Sequence, residues 1–145
     1  MEDEVRNLLA AIEADDMNTA MSYLSRDFQL SGPVPEPIGA REWLGLHHAL
    51  NQGMPDFSFN LKEVRADGNR VYTTVQISGT QTNDLDLSAM GMGVIPATGA
   101  AVQLPKEHPV ATFDGNKIVS IDLEPVEGGG VPGILAQLGV VVPPM

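Results

Sequence analysis

His108 and Asp122 lie on either side of the turn signal Asp114-Gly115-Asn116, in the stretch PKEHPVATFDGNKIVSIDLEP from Pro105 to Pro125. β-Branched and apolar runs flank the Gly/Asn turn, so the stretch predicts a β-hairpin. An imidazole beside a carboxylate can take and give a proton without a metal, provided each tunes the other. Whether they meet is a question of register. A two-residue loop, Gly115-Asn116, pairs Phe113 with Ile118 and sends His108 and Asp122 to opposite faces. A three-residue loop, Asp114 to Asn116, pairs Phe113 with Lys117 and His108 with Asp122. A slip of one residue swaps every side chain across the sheet. The second register gathers Ala111, Phe113, Val119, Ile121 and Leu123 on one apolar face. It leaves His108, Thr112, Ser120, Asp122 and Glu124 on the other, so binary pattern selects it.

Other elements must carry this hairpin. Val5, Leu8, Leu9 and Ile12 recur at helical spacing behind the acidic start Glu2, Asp3 and Glu4, which suits the positive end of a helix. Asp15 and Asp16 interrupt it. A second short helix is predicted from Asn18 or Thr19, carrying Met21, Leu24 and Phe28. Ser31 to Gly39 is too rich in proline and glycine for a regular element. A third helix is predicted over Ala40 to Gln52, with Trp43, Leu44, Leu46, His47 and Leu50 on its apolar side. Gly53 and Pro55 end it.

From Asp56 the period changes to two. Phe57, Phe59 and Leu61 predict a strand, Ala66 to Asn69 a turn, and Arg70 to Thr80 a long strand. Val71, Thr73, Val75 and Ile77 form one face of the long strand. Tyr72, Thr74, Gln76 and Ser78 form the other, polar and uncharged, either lining a cavity or facing solvent. Gln81 to Gly99 is irregular, and its Met90 and Met92 could cover an opening. No GxGxxG follows a strand here, so a phosphate loop is not indicated. A short strand at Ala100 to Leu104 precedes the hairpin. After Gly128 to Gly130 comes one helical turn, ILAQL, and Val140 to Val142 read as an extended end.

Composition narrows the partners. The chain has 145 residues, 19 acidic and 8 basic, for a formal charge of −11. Nucleic acid and anionic membranes are poor partners for such a chain, because phosphate binding needs clustered Lys and Arg. There are no cysteines, which removes disulfides, thiolate metal sites and cysteine nucleophiles. The N-terminus lacks the apolar run of a signal peptide. A cytoplasmic protein with one domain over residues 1–145 is expected.

Helices first and strands last describe an α+β domain. The segments IGAREWLGL, PDFSFNLKEVRADGNRVYTTVQISGTQT, IPATG, FDGNKIVSI and ILAQLG, in this order, resemble the SnoaL-like polyketide cyclases of the nuclear transport factor 2-like superfamily. The resemblance spans nearly the whole chain. It implies a cone-shaped α+β barrel, with N-terminal helices packed in a curved mixed or antiparallel sheet. It also implies a pocket between sheet and helices for a small-molecule ligand, a homodimer, and no cofactor or metal. The superfamily hosts cyclases, isomerases, hydrolases and binding domains, so the fold does not choose among them.

The resemblance assigns the last hairpin a His and an Asp, and counting outward from Asp114-Gly115 places them at His108 and Asp122. Counting from Lys117-Ile118 instead puts Leu123 in the Asp position. In an aldol-type ring closure Asp122 would be the acid/base, and His108 would orient it or bind the developing oxyanion. Trp43, His47, Tyr72, Thr74, Gln76, Met90 and Met92 would line the pocket. Isomerase chemistry is disfavoured, because Ser31-Gly32 and Leu8-Leu9 stand where that chemistry wants an Asp and a Tyr. Epoxide hydrolysis is disfavoured because no Arg follows Arg70. His47 and His48 are neighbours on a helix and point about 100° apart, so they form no shared metal face. Two function classes stay open: a metal-free cyclase or isomerase acting on a hydrophobic oxygenated substrate, and a non-catalytic ligand-binding or dimerisation domain. The dimer expectation rests on an apolar outer sheet face.

Overall fold

The structure is a computed structural model that describes residues 1–32, 36–88 and 91–140. Helix α1 spans Glu2–Glu13 and buries Val5, Leu8, Ala11 and Ile12, while Leu9 of the expected row is half-buried. Helix α2, Met17–Ser22, is capped by Asp16, whose side chain accepts from the Thr19 backbone N–H, one of the donors a helix start leaves free. Leu24–Ser31 is a strand, β1, not a continuation of α2. Its register shifts between Leu24 and Gln29. Leu24 and Phe28, four residues apart, share one face in a strand as in a helix, and with Arg26 exposed between them the stretch reads as helix.

After the short strand β2, Ile38–Gly39, helix α3 covers Ala40–Gly53 and buries Trp43, Leu44, His47, Leu50 and Asn51. Asn51 donates its side-chain N–H to the Ile12 carbonyl at 2.6 Å, tying α3 to α1. The segment with Phe57 and Phe59 is not a full strand, since only Ser58 bridges, to Ser78. Strand β3 is Glu63–Asp67. The expected long strand divides into β4, Arg70–Thr74, and β5, Ser78–Thr80. Two-residue strands β6, Leu85–Asp86, and β7, Val94–Ile95, pair with each other, and β8, Ala101–Gln103, pairs with β5.

Strands β9, Val110–Asp114, and β10, Lys117–Asp122, form the hairpin, and helix α4, Gly130–Gln137, follows. The main sheet runs β2-β1-β10-β9-β4-β3. It is curved and mixed and does not close into a barrel. Its one parallel pair among the described residues joins β1 to β10.

Hairpin register corrects the sequence expectation. Asp114 pairs with Lys117 and Phe113 with Ile118, so the loop is Gly115-Asn116. Gly115 sits at φ +63°, the left-handed conformation that tight hairpin turns favour. The register then shifts between Ile118 and Ser120, so Ser120 opposes Thr112 and Asp122 opposes Val110. This bulge at Val119 inserts one residue and restores the parity that the short loop would lose. Ala111, Phe113, Ile118 and Ile121 are buried on the inner face. Thr112, Ser120 and Asp122 fall on the outer one.

That outer face also carries Glu63, Arg65 and Tyr72 through the β3–β4 register. It is mainly polar and offers little of the apolar surface on which the dimer was expected.

Candidate functional site

Trp43 and His47 are four residues apart on α3, so they share a helix face. That face looks into the core. The Trp43 and His47 rings meet edge-on at 5.3 Å between centroids. Phe28 of β1 stacks on Trp43 at 5.5 Å. Phe57 and Phe59 alternate inward from the segment after α3, and their rings lie 5.5 and 5.2 Å from His47. The imidazole is therefore boxed by three aromatic rings, Trp43, Phe57 and Phe59, with Phe28 backing Trp43. It is 5% exposed, and among the described residues its Nδ1 has no hydrogen-bond partner. Burial lowers its pKa from 6.5 to about 4, because the box disfavours the charged ring. His47 is neutral at pH 7.

The hairpin pair lies on the other side of the sheet. The β4–β9 ladder runs past its last paired strand residue: the Thr73 N–H donates to the Pro109 carbonyl, and Val75 and Glu107 exchange backbone hydrogen bonds. His108 consequently sits opposite Thr74. A hydrogen bond of 3.1 Å joins its Nδ1 to the Thr74 hydroxyl. Tyr72, Thr74, His108, Val110 and Glu124 border an open groove of about 890 Å³ that Arg6 reaches from α1. The Arg65 guanidinium covers the Tyr72 ring there, 4.8 Å from its centroid.

Asp122 is exposed and lies outside the residues lining this groove. The structure thus brings together Tyr72, Thr74 and His108 on the outside, and Trp43 and His47 on the inside. Gln76 joins neither group; it is half-buried, and its backbone N–H donates to the Phe59 carbonyl. Met92 is 37% exposed, and Met90 lies outside the described residues.

Three contributors escaped sequence reasoning. Phe28 was assigned to a helix, and Phe57 and Phe59 were read as ordinary strand positions. Their signal was aromatic type: they and Phe113 are all four phenylalanines of the chain. Glu107 was passed over as well. It occupies the inward row with Ala111 and Phe113, and it is 7% exposed. No group of three or more His, Asp or Glu among the described residues is arranged to hold a metal ion. No described helix is long and apolar enough to cross a membrane.

This arrangement has known relatives in structure. AclR from Streptomyces galilaeus, a candidate hydroxylase, superposes with a TM-score of 0.72 at 19% identity, covering 94% of this chain and 93% of that one. IdmH from Streptomyces antibioticus, a candidate polyketide cyclase, gives 0.71 at 21% identity over 95% and 97%. An LEH-like epoxide hydrolase of M. tuberculosis gives 0.62 at 20% identity over 95% and 91%. At these identities the likeness is one of fold. No curated protein matches the chain. The family described as the SnoaL-like domain matches residues 5–121. With helices packed on a curved mixed sheet and a family match over most of its length, the chain belongs to the SnoaL-like family.

Proposed function

We propose that this protein binds a small, mainly apolar molecule carrying one hydroxyl or carbonyl oxygen, held in the interior between α3 and the sheet. The observation behind this reading is the unpartnered Nδ1 of a neutral His47 inside an aromatic box. A buried polar atom without a partner costs about 1–3 kcal/mol. A ligand oxygen reaching His47 removes that cost, while its hydrocarbon body replaces ring–ring contacts with Trp43, Phe57 and Phe59. Pockets that take such ligands are apolar, with few polar groups to fix orientation. Here the box is closed, so binding requires the rings to part.

Ring closure at His108 and Asp122 has weaker support. Both side chains are exposed, whereas acid/base work on a carbonyl gains from a site that excludes water. The reading is therefore a binding domain first.

Trp43 is the only tryptophan, so its fluorescence reports the box directly. Menthol should shift it saturably, and p-menthane, which lacks the hydroxyl, should bind at least about tenfold more weakly. His47→Phe should bring the two together. Equal responses to the two compounds in the unmodified protein, or no response to menthol, would refute the interior site.

A further inference from the structure

A second concavity lies away from the aromatic box. It is a cleft of about 310 Å³ between α4 and the segment leading into it, with Glu107 at its base. Pro125, Val126, Pro132 and Ala136 supply its apolar walls, and Gly128, Gly129 and Gly133 supply backbone. Two of these glycines are there because the chain passes too close for a side chain. A Cβ at Gly133 would stand 2.0 Å from the Gly128 carbonyl oxygen, and one at Gly129 would stand 2.9 Å from Glu107 Oε1. The carboxylate is thus pressed against the turn that starts α4. Glu107 is more than nine-tenths buried.

What the carboxylate lacks is a positive partner. Every Lys, Arg and His of the chain is among the described residues, and none pairs with Glu107 within 4.0 Å. Its sequence neighbour Lys106 is exposed, and His108 points to the outer face toward Thr74. No other titratable side chain lines the cleft. Burial accordingly raises the Glu107 pKa, and a hydrogen bond from the Gly130 backbone N–H offsets part of that. Buried carboxylates are normally paired or neutralised. Of the two, pairing is what a cleft open to solvent allows, and a chain of charge −11 draws cations toward it.

We propose that this cleft binds a small organic ammonium ion, its nitrogen on the Glu107 carboxylate and its aliphatic body against Pro125, Val126 and Pro132. At about 310 Å³ the cleft is at the small end of ligand pockets, which suits a primary amine with a short ring or chain. A charge-assisted hydrogen bond to a buried carboxylate is roughly twice as strong as a neutral one. Charge is thus the discriminating property. The site is independent of the interior box and uses none of its residues.

The test compares cyclohexylammonium with cyclohexanol, similar in size and differing in charge, by ¹H–¹⁵N NMR titration of the full chain. Cyclohexylammonium should move the amide signals of Gly128, Gly129 and Gly133, with an affinity at least about tenfold above cyclohexanol. Glu107→Gln should abolish the difference. In the unmodified protein, ammonium binding should also weaken as the pH falls and Glu107 takes up a proton, which checks the idea without a variant. Equal binding of the two probes would mean an apolar cleft with a protonated acid, and would overturn the proposal. So would an ammonium that moves no signals, or a preference that survives Glu107→Gln.

Discussion

His47 and His108 stand on opposite sides of one sheet, in opposite surroundings. His47 is enclosed by Trp43, Phe57 and Phe59, and its Nδ1 has no partner among the described residues. His108 is exposed and already paired with a threonine hydroxyl. Sequence placed chemistry on the outer residue because a carboxylate lay across the turn. The structure places the unmet polar demand on the inner one. A histidine is informative where its surroundings fail to satisfy it, and a nearby acid in the sequence is a weaker sign.

The largest difference between the two sides should appear on truncating an aromatic from each. Trp43→Ala removes a wall of the box and should cost about 3–5 kcal/mol of stability in urea unfolding. Tyr72→Ala, on the groove, should cost about 1 kcal/mol or less, since it loses chiefly a surface stack with Arg65. Similar losses at the two sites would mean that the outer groove is as tightly built as the core.

Acid sharpens the contrast next. In the folded protein the His47 pKa is depressed from 6.5 to about 4, so between those values the unfolded chain binds the proton more readily. Stability from this group is complete above pH 6.5 and falls as the pH drops toward 4. The full loss is about 3 kcal/mol. Unfolding titrations of the unmodified protein and His47→Phe should diverge by that amount across the window. Parallel curves would show that water or solvent reaches the ring.

The smallest effect belongs to the hairpin pair. His108→Gln and Asp122→Asn should each change stability by no more than about 0.5 kcal/mol, as surface substitutions do. A larger change would reveal a buried partner for one of them and reopen the catalytic reading.

Much of the fold was legible because its periods are clean. Helices α1 and α3 follow from 3.6-residue spacing and β4 from the alternation after Arg70, whereas the alternation at Phe57 to Leu61 makes no full strand and β3 falls between it and the turn. Two irregularities hid the rest. In β1 the step from Leu24 to Phe28 keeps one face in a strand as in a helix, and the irregular stretch between them exposes Arg26 where alternation would bury it, so a strand imitates a helix. In the hairpin, the bulge at Val119 lets a two-residue loop coexist with same-side placement of Val110 and Asp122. Binary pattern sees the faces but not the extra residue, so it inferred a longer loop to explain them. That Trp43 and His47 share a buried helix face was legible from their four-residue spacing. The rings of the box, with Phe28 behind Trp43, come from three segments, and no local pattern links those. Glu107 stood in an apolar row, and a charge in such a row was the one available hint.

The parallel pairing of β1 with β10 has a consequence in time. Residues 24–31 are synthesised before their partner, Lys117–Asp122, which follows only after β2 to β9 and α3. Until then β1 can pair only with the two-residue β2, which leaves Leu24, Phe28 and Leu30 without the strand that covers them. Contacts between distant segments are slow to form because loop closure comes before any gain from packing. The nascent chain therefore carries an unfinished apolar strand until β10 has been made. Chaperone demand during synthesis should track the arrival of β10 and not the completion of the N-terminal helices.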